Sequence, residues 1–114
     1  MDDDSDEESV HFIHALHLVN KRQRLAPRCQ VIINNTHTKA LIDTGATINI
    51  MAETVYHNLN VIPDLRPTRV KVYAYGAEEP LPVLGVFTAS IQHHEQAVQT
   101  KVYVTSVGTG VLLS

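Results

Sequence analysis

An acidic residue placed directly at the end of an apolar, β-prone run limits what this chain can fold into more than any other feature. The run is Lys39-Ala40-Leu41-Ile42, and it passes straight into Asp43-Thr44-Gly45-Ala46. An unpaired charge taken out of water is costly, so a strand end of this kind must hold the carboxylate in a prepared turn or leave it at an opening. The following residues suit the first arrangement. Gly45 lets the backbone approach closely, its N–H can point at the carboxylate, and the Thr44 hydroxyl can bond to a neighbouring main chain.

Around this turn the chain reads as a series of short strands. Val31-Ile32-Ile33, a turn over Asn34-Asn35-Thr36-His37, and Lys39 to Ile42 make a hairpin, because asparagine tolerates the positive φ of tight turns. Thr47 to Met51 is a further short strand, and Ala52 to Leu59 is long enough for two helical turns. Arg69 to Tyr75 alternates as a strand with one covered face. Gly76-Ala77-Glu78-Glu79-Pro80 is a polar turn, and Leu81 to Ile91 returns as a long strand. Pro80 and Pro82 cannot donate to a ladder, so that end is expected to project. Gly85 within the run predicts a bulge or bend. His93-His94-Glu95 turns the chain again, Ala97 to Val107 is a last long strand, and Val111-Leu112-Leu113 closes the sequence. Val10 to Val19 is apolar and fits a short helix or a strand equally.

The length of 114 residues fits one domain. Six of the 12 acids fall in Asp2, Asp3, Asp4, Asp6, Glu7 and Glu8; residues 9 to 114 then carry six acids against nine bases, a body of about +3 behind a self-repelling leader. No apolar run reaches the roughly 18 to 20 residues that cross a bilayer, and nothing resembles a secretory signal. Cys29 has no second cysteine to pair with, so an internal disulfide and a thiolate metal cage are both excluded.

Taken with the flanks of the Asp-Thr-Gly turn, three stretches carry a family resemblance. They are Ala40 to Thr47, the run Val72 to Gly85 with its glycine-tipped turn, and the closing Val111-Leu112-Leu113-Ser114. Over residues 29 to 114 the chain resembles the retroviral-type aspartic proteases, the retropepsins, in the form encoded by long-terminal-repeat retrotransposons. The resemblance implies an all-β fold, a closed barrel forming half of an acid protease, with a flap hairpin and at most one or two short helices. It implies 29–114 as the protease domain, while charge and composition make residues 1–9 an expected disordered acidic leader and 10–28 an N-terminal segment and linker. Such domains continue past the closing triplet into a helix and a dimer strand that these residues do not include, and Ser114 stands where glycine is common.

By the same resemblance Asp43 is the catalytic carboxylate, supported by Thr44, Gly45 and Ala46. The Thr44 hydroxyl grips a partner chain, and Gly45 offers its carbonyl to substrate backbone. Leu41, Ala46, Ile50 and Leu112 line side-chain pockets, and Tyr75, Gly76 and Ala77 form the flap. Acid–base hydrolysis of a peptide bond needs two carboxylates, one to take a proton from water and one to give a proton to the carbonyl. One chain has one such turn, so two-fold pairing is expected to bring two copies of Asp43 together. The expected enzyme is a homodimeric aspartic endopeptidase acting on a polyprotein, without cofactor or metal, in the cytoplasm or within virus-like particles. Its rival is a retropepsin-fold module that dimerises or binds peptide without cutting. Ala46 brings no hydroxyl to the dyad, so the pH–rate profile is expected to centre at about 5 to 6.

Other features carry less. His11, His14 and His17 recur every third residue, but no carboxylate or cysteine joins them as a ligand set. His93-His94 belongs to a polar turn. Lys21-Arg22-Gln23-Arg24 lacks aromatic interleaving and reads as a solvated linker, so neither nucleic acid nor membrane is an expected partner. Tyr73 and Tyr75 are expected to pack in the flap. Glu53, Asp64, Glu78, Glu79 and Glu95 fall in helix or turn stretches and read as surface acids.

Overall fold

The computed structural model describes residues 9–13, 28–42 and 46–114. Eight strands and one short helix occur among them: β1 (Val10–Ile13), β2 (Arg28–Ile33), β3 (Thr36–Ile42), β4 (Ile50–Ala52), α1 (Glu53–His57), β5 (Lys71–Ala74), β6 (Val83–His93), β7 (Gln96–Thr105) and β8 (Val111–Leu113). Six of the strands close into a barrel in the order β2-β3-β8-β4-β7-β6, and β1 and β5 form a separate two-stranded sheet. The fold is all-β with one short helix, as the resemblance implied.

Local chemistry explains the turns. Asn34 and Asn35 adopt φ of 47° and 67° and join β2 to β3 as a two-residue hairpin loop, tighter than the four-residue turn expected, because Thr36 and His37 already pair. His94, at φ 58°, turns β6 into β7. The β6–β7 register shifts between Val83 and Gly85, which is the bulge that Gly85 foretold. Glycine is required there: a Cβ would lie 2.8 Å from both the Arg66 carbonyl oxygen and Leu65 Cβ. The close approach lets Arg66 and Val86 exchange two backbone hydrogen bonds of 2.9 Å each, tying the connection before β5 to β6.

Strand alternation sorts side chains into two buried clusters. Val31, Ala40, Met51, Phe87, Val102, Val104, Val111 and Leu113 join Tyr56 and Leu59 in one. The intervening residues Leu41, Ile50, Val86, Tyr103 and Leu112 join Ile13, Ala46, Ile48, Val70 and Val72 in the other, between the opposite barrel face and the β1–β5 sheet. α1 has no side-chain N-cap; it is held by the buried Tyr56, whose hydroxyl donates to the Pro63 carbonyl.

Three stretches depart from the sequence reading. The strand expected over 47–51 is confined to Ile50–Ala52, with bends at Thr47 and Ile48. Val10–Ile13, open between helix and strand, is a strand and pairs in parallel with β5. The hairpin expected between the 69–75 strand and the 81–91 strand makes no regular ladder; one bond, from the Leu81 N–H to the Val72 carbonyl, links the two arms. Proline explains this, since Pro80 and Pro82 leave Leu81 as the donor between them. No helix among the described residues is long and apolar enough to cross a membrane.

Candidate active site

Asp43, Thr44 and Gly45 lie outside the described residues, so the site is built from what surrounds them. β3 ends at Ile42, immediately before Asp43, and the chain resumes at Ala46, which is buried. Leu41 on β3 is the register partner of Leu112 on β8, and Leu112 is in turn the partner of Ile50 on β4. Ile50 continues to Tyr103 on β7, and Tyr103 to Val86 on β6. Five side chains from five adjacent barrel strands therefore form one lateral row on one face, none more than 6% exposed. Three of the residues expected to line pockets, Leu41, Ile50 and Leu112, are consecutive members of that row, and Ala46 packs in the same cluster.

The chain just past β8, which supplies Leu112 to the row, is fixed by a residue the sequence reading passed over. Asn49 is buried, and its side-chain amide satisfies all four of its hydrogen-bonding positions. Nδ2 donates to the Lys101 carbonyl at 2.9 Å and to Thr100 Oγ1 at 3.2 Å. Oδ1 accepts from the Ser114 N–H at 3.0 Å and from Ser114 Oγ at 3.2 Å. The signal available was a lone amide in the apolar run Ile48-Asn49-Ile50-Met51, where an unpaired polar group would be costly. Ser114 thus serves as a hydrogen-bond donor where glycine is common in such domains.

The expected flap residues stand apart from this row. Tyr75, Gly76 and Ala77 are exposed where the chain turns after β5, with Gly76 at φ 84° and the Ala77 N–H donating to the Ala74 carbonyl at 2.9 Å. Phe12 and Tyr75 stack with ring centroids 5.7 Å apart, and Phe12 and Tyr73 at 5.6 Å. A cavity of about 480 Å³ near the β2–β8 side is lined by Cys29, Val31, Ile42, Ile91, His93, Leu113 and Ser114, so it opens on the opposite face from the row.

Among the described residues no carboxylate is buried. Asp64, Glu78, Glu79 and Glu95 are exposed, and Glu53 meets His57 one helical turn later at 3.2 Å. No group of three His, Cys, Asp or Glu side chains converges among the described residues. His14, His17 and the Lys21 to Arg24 cluster lie outside them. The His11 ring is engaged otherwise, with Nδ1 2.7 Å from Thr47 Oγ1 and Nε2 3.1 Å from Ser9 Oγ. Burial pushes its pKa below the ordinary value of 6.5.

Comparison with known proteins bears on the fold. Residues 23–60, the span running through Asp43, match the family model for retroviral aspartyl protease. No curated protein sequence matches the chain. Among solved structures, the EIAV protease in complex with an inhibitor superposes with a TM-score of 0.65 at 20% identity, covering 83% of this chain and 86% of that one. The retroviral protease-like domain of Ddi1 from Leishmania major gives 0.58 at 16% identity over 77% of this chain and 70% of that one. A retropepsin-like aspartic protease from Rickettsia conorii gives 0.57 at 19% identity over 84% and 70%. The chain thus has a retropepsin-like fold, and residues 23–60, the span whose sequence includes Asp43-Thr44-Gly45, match the retroviral aspartyl protease model.

Proposed function

We propose that this chain is an aspartic endopeptidase, active as a homodimer, that hydrolyses peptide bonds with water activated between two Asp43 carboxylates and processes a polyprotein. The observation that carries the proposal is where β3 ends relative to the sequence of the Asp-Thr-Gly tripeptide. β3 ends at Ile42, the residue between Leu41 of the row Leu41-Leu112-Ile50 and Asp43 in sequence, while no described carboxylate is buried.

In the proposed reaction the two carboxylates share one proton, because like charges in contact cannot both ionise cheaply. The ionised member takes a proton from water as the water attacks the scissile carbonyl, and the protonated member gives its proton to the carbonyl oxygen. No covalent enzyme intermediate forms. Leu41, Ile50 and Leu112 offer an aliphatic wall, which suits extended substrates with apolar side chains, and Tyr75 to Ala77 cover the peptide as a flap.

Asp43→Asn tests the assignment. The variant is expected to keep its circular dichroism spectrum and to lose cleavage of a peptide library by at least about 10³-fold, the scale on which removing a catalytic acid–base group is felt. Cleavage at the parental rate by Asp43→Asn would remove Asp43 from the chemistry.

A further inference from the structure

β1 comes from the apolar N-terminal segment left open between helix and strand, and it is both paired and packed in the fold. Val10, His11, Phe12 and Ile13 pair in parallel register with Lys71, Val72, Tyr73 and Ala74. The Lys71 N–H donates to the Ser9 carbonyl and the Tyr75 N–H to the Ile13 carbonyl, each at 3.0 Å, so pairing continues past both ends of the strand. Its side chains alternate between two environments. Ile13 is 1% exposed and packs in the cluster that holds Leu41, Ala46, Ile50 and Leu112. Phe12 projects the other way, 46% exposed, and stacks on Tyr73 and Tyr75 at interplanar angles of 27° and 24°. His11 reaches Thr47, four residues after Asp43 in sequence.

This is how an extended peptide is held by a sheet edge. Main-chain hydrogen bonds supply pairing, and a pocket takes alternate side chains. The cluster receiving Ile13 contains the three residues that the proposed function uses as its aliphatic wall, Leu41, Ile50 and Leu112, together with Ala46, and β1 ends beside the residues it uses as a flap. We infer that Val10–Ile13 occupies the peptide groove of the proposed active site in cis, as a tethered pseudo-substrate that a peptide in trans must displace. The inference rests on the assignment of Leu41, Ile50 and Leu112 as groove wall under the proposed function. The occupant is a segment of this chain, with Ile13 on the groove side and Phe12 on the tyrosine side. Competition follows from mass action: the apparent affinity for any other peptide falls by the fraction of molecules in which the groove is vacated.

The test uses the full chain and a fluorescent peptide bearing Ser-Val-His-Phe-Ile, with binding read by anisotropy for the parent, Phe12→Ala and Ile13→Ala. Both variants weaken the tethered strand and leave the groove wall intact, so both are expected to bind the free peptide about five-fold tighter or better. A strand with a merely structural role would yield unchanged or weaker binding, and that result in both variants overturns the inference, as does absence of binding to all three proteins. If Ile13→Ala does not fold, Phe12→Ala, altered at a half-exposed position, decides alone. Cleavage of the same peptide is followed in parallel. Tighter binding by the variants with no cleavage by any of the proteins upholds cis-occupancy and sinks the endopeptidase reading; cleavage with unchanged binding does the reverse.

Discussion

Replacing Asn49 by alanine removes four side-chain hydrogen bonds at a site 8% exposed. Water reaches Ser114, which is exposed, more easily than the Lys101 carbonyl, so the four losses are unequal. Counting about 1 kcal/mol for each of the two backbone partners and less for each hydroxyl gives a destabilisation of about 2 to 3 kcal/mol. For a domain of this size that is a fall in Tm of roughly 10 °C, or about 1 M in the urea midpoint. Asn49→Asp separates the bonds by chemistry. It keeps the acceptor for Ser114 but sets an anionic oxygen against the Lys101 carbonyl, which cannot donate. At pH 7 this variant is expected to be no more stable than Asn49→Ala. The fold disfavours its ionised form, so its folded pKa is raised above the unfolded value, and stability returns as the pH is lowered through that raised value. Urea titrations of the three proteins at pH 7 and pH 4.5 make the comparison. An Asn49→Ala midpoint within error of the parent, or an Asn49→Asp variant unaffected at pH 7, would show that the amide does not tether β8 to β7.

Gly85→Ala is expected to cost about 2 kcal/mol, because the new methyl must push back a main-chain carbonyl and a Cβ, both at 2.8 Å. Gly110→Ala is its control, since a Cβ there meets nothing within 4 Å; equal melting temperatures for the two would refute the close approach at Leu65 and Arg66. His11 gives a pH dependence. Its pKa is lowered in the fold by burial, so its contribution to stability is full above about 6.5 and declines as the pH falls from there through the folded value. Thermal melts between pH 7.5 and 5 should show that decline in the parent and a shallower one in His11→Gln, and identical slopes would dismiss it.

Much of the barrel was legible because local chemistry and tertiary structure agree in it. Asn34-Asn35 needs positive φ and has it, Gly85 sits at a bulge, and the apolar triplet 111–113 is a buried strand. Long-range pairing was less legible. Nothing within Val10–Ile13 points to a partner some sixty residues later, and its apolar character fits two periodicities. The flap arms looked like a hairpin because each alternates, whereas what decides their pairing is the pair of prolines around Leu81 and the competing edge offered by β1. For the candidate site, Leu41, Ile50 and Leu112 could be named from the sequence, but their order as neighbours could not, since it depends on β8 inserting between β3 and β4. Tyr103 and Val86, which complete the row, belong to long strands whose other residues look equivalent to them in sequence.

That row also joins two properties that many binding proteins keep separate. Leu112 is fully buried between Leu41 and Ile50, so trimming it to alanine would cost about 3 kcal/mol of folding free energy while reshaping the wall that the proposed function assigns to substrate. Changes in ligand preference at these positions must therefore come with thermal weakening, or arrive in pairs from distant parts of the chain that restore the lost volume. An evolutionary path to a new specificity would run through coordinated exchange across neighbouring strands, not through free variation at single sites.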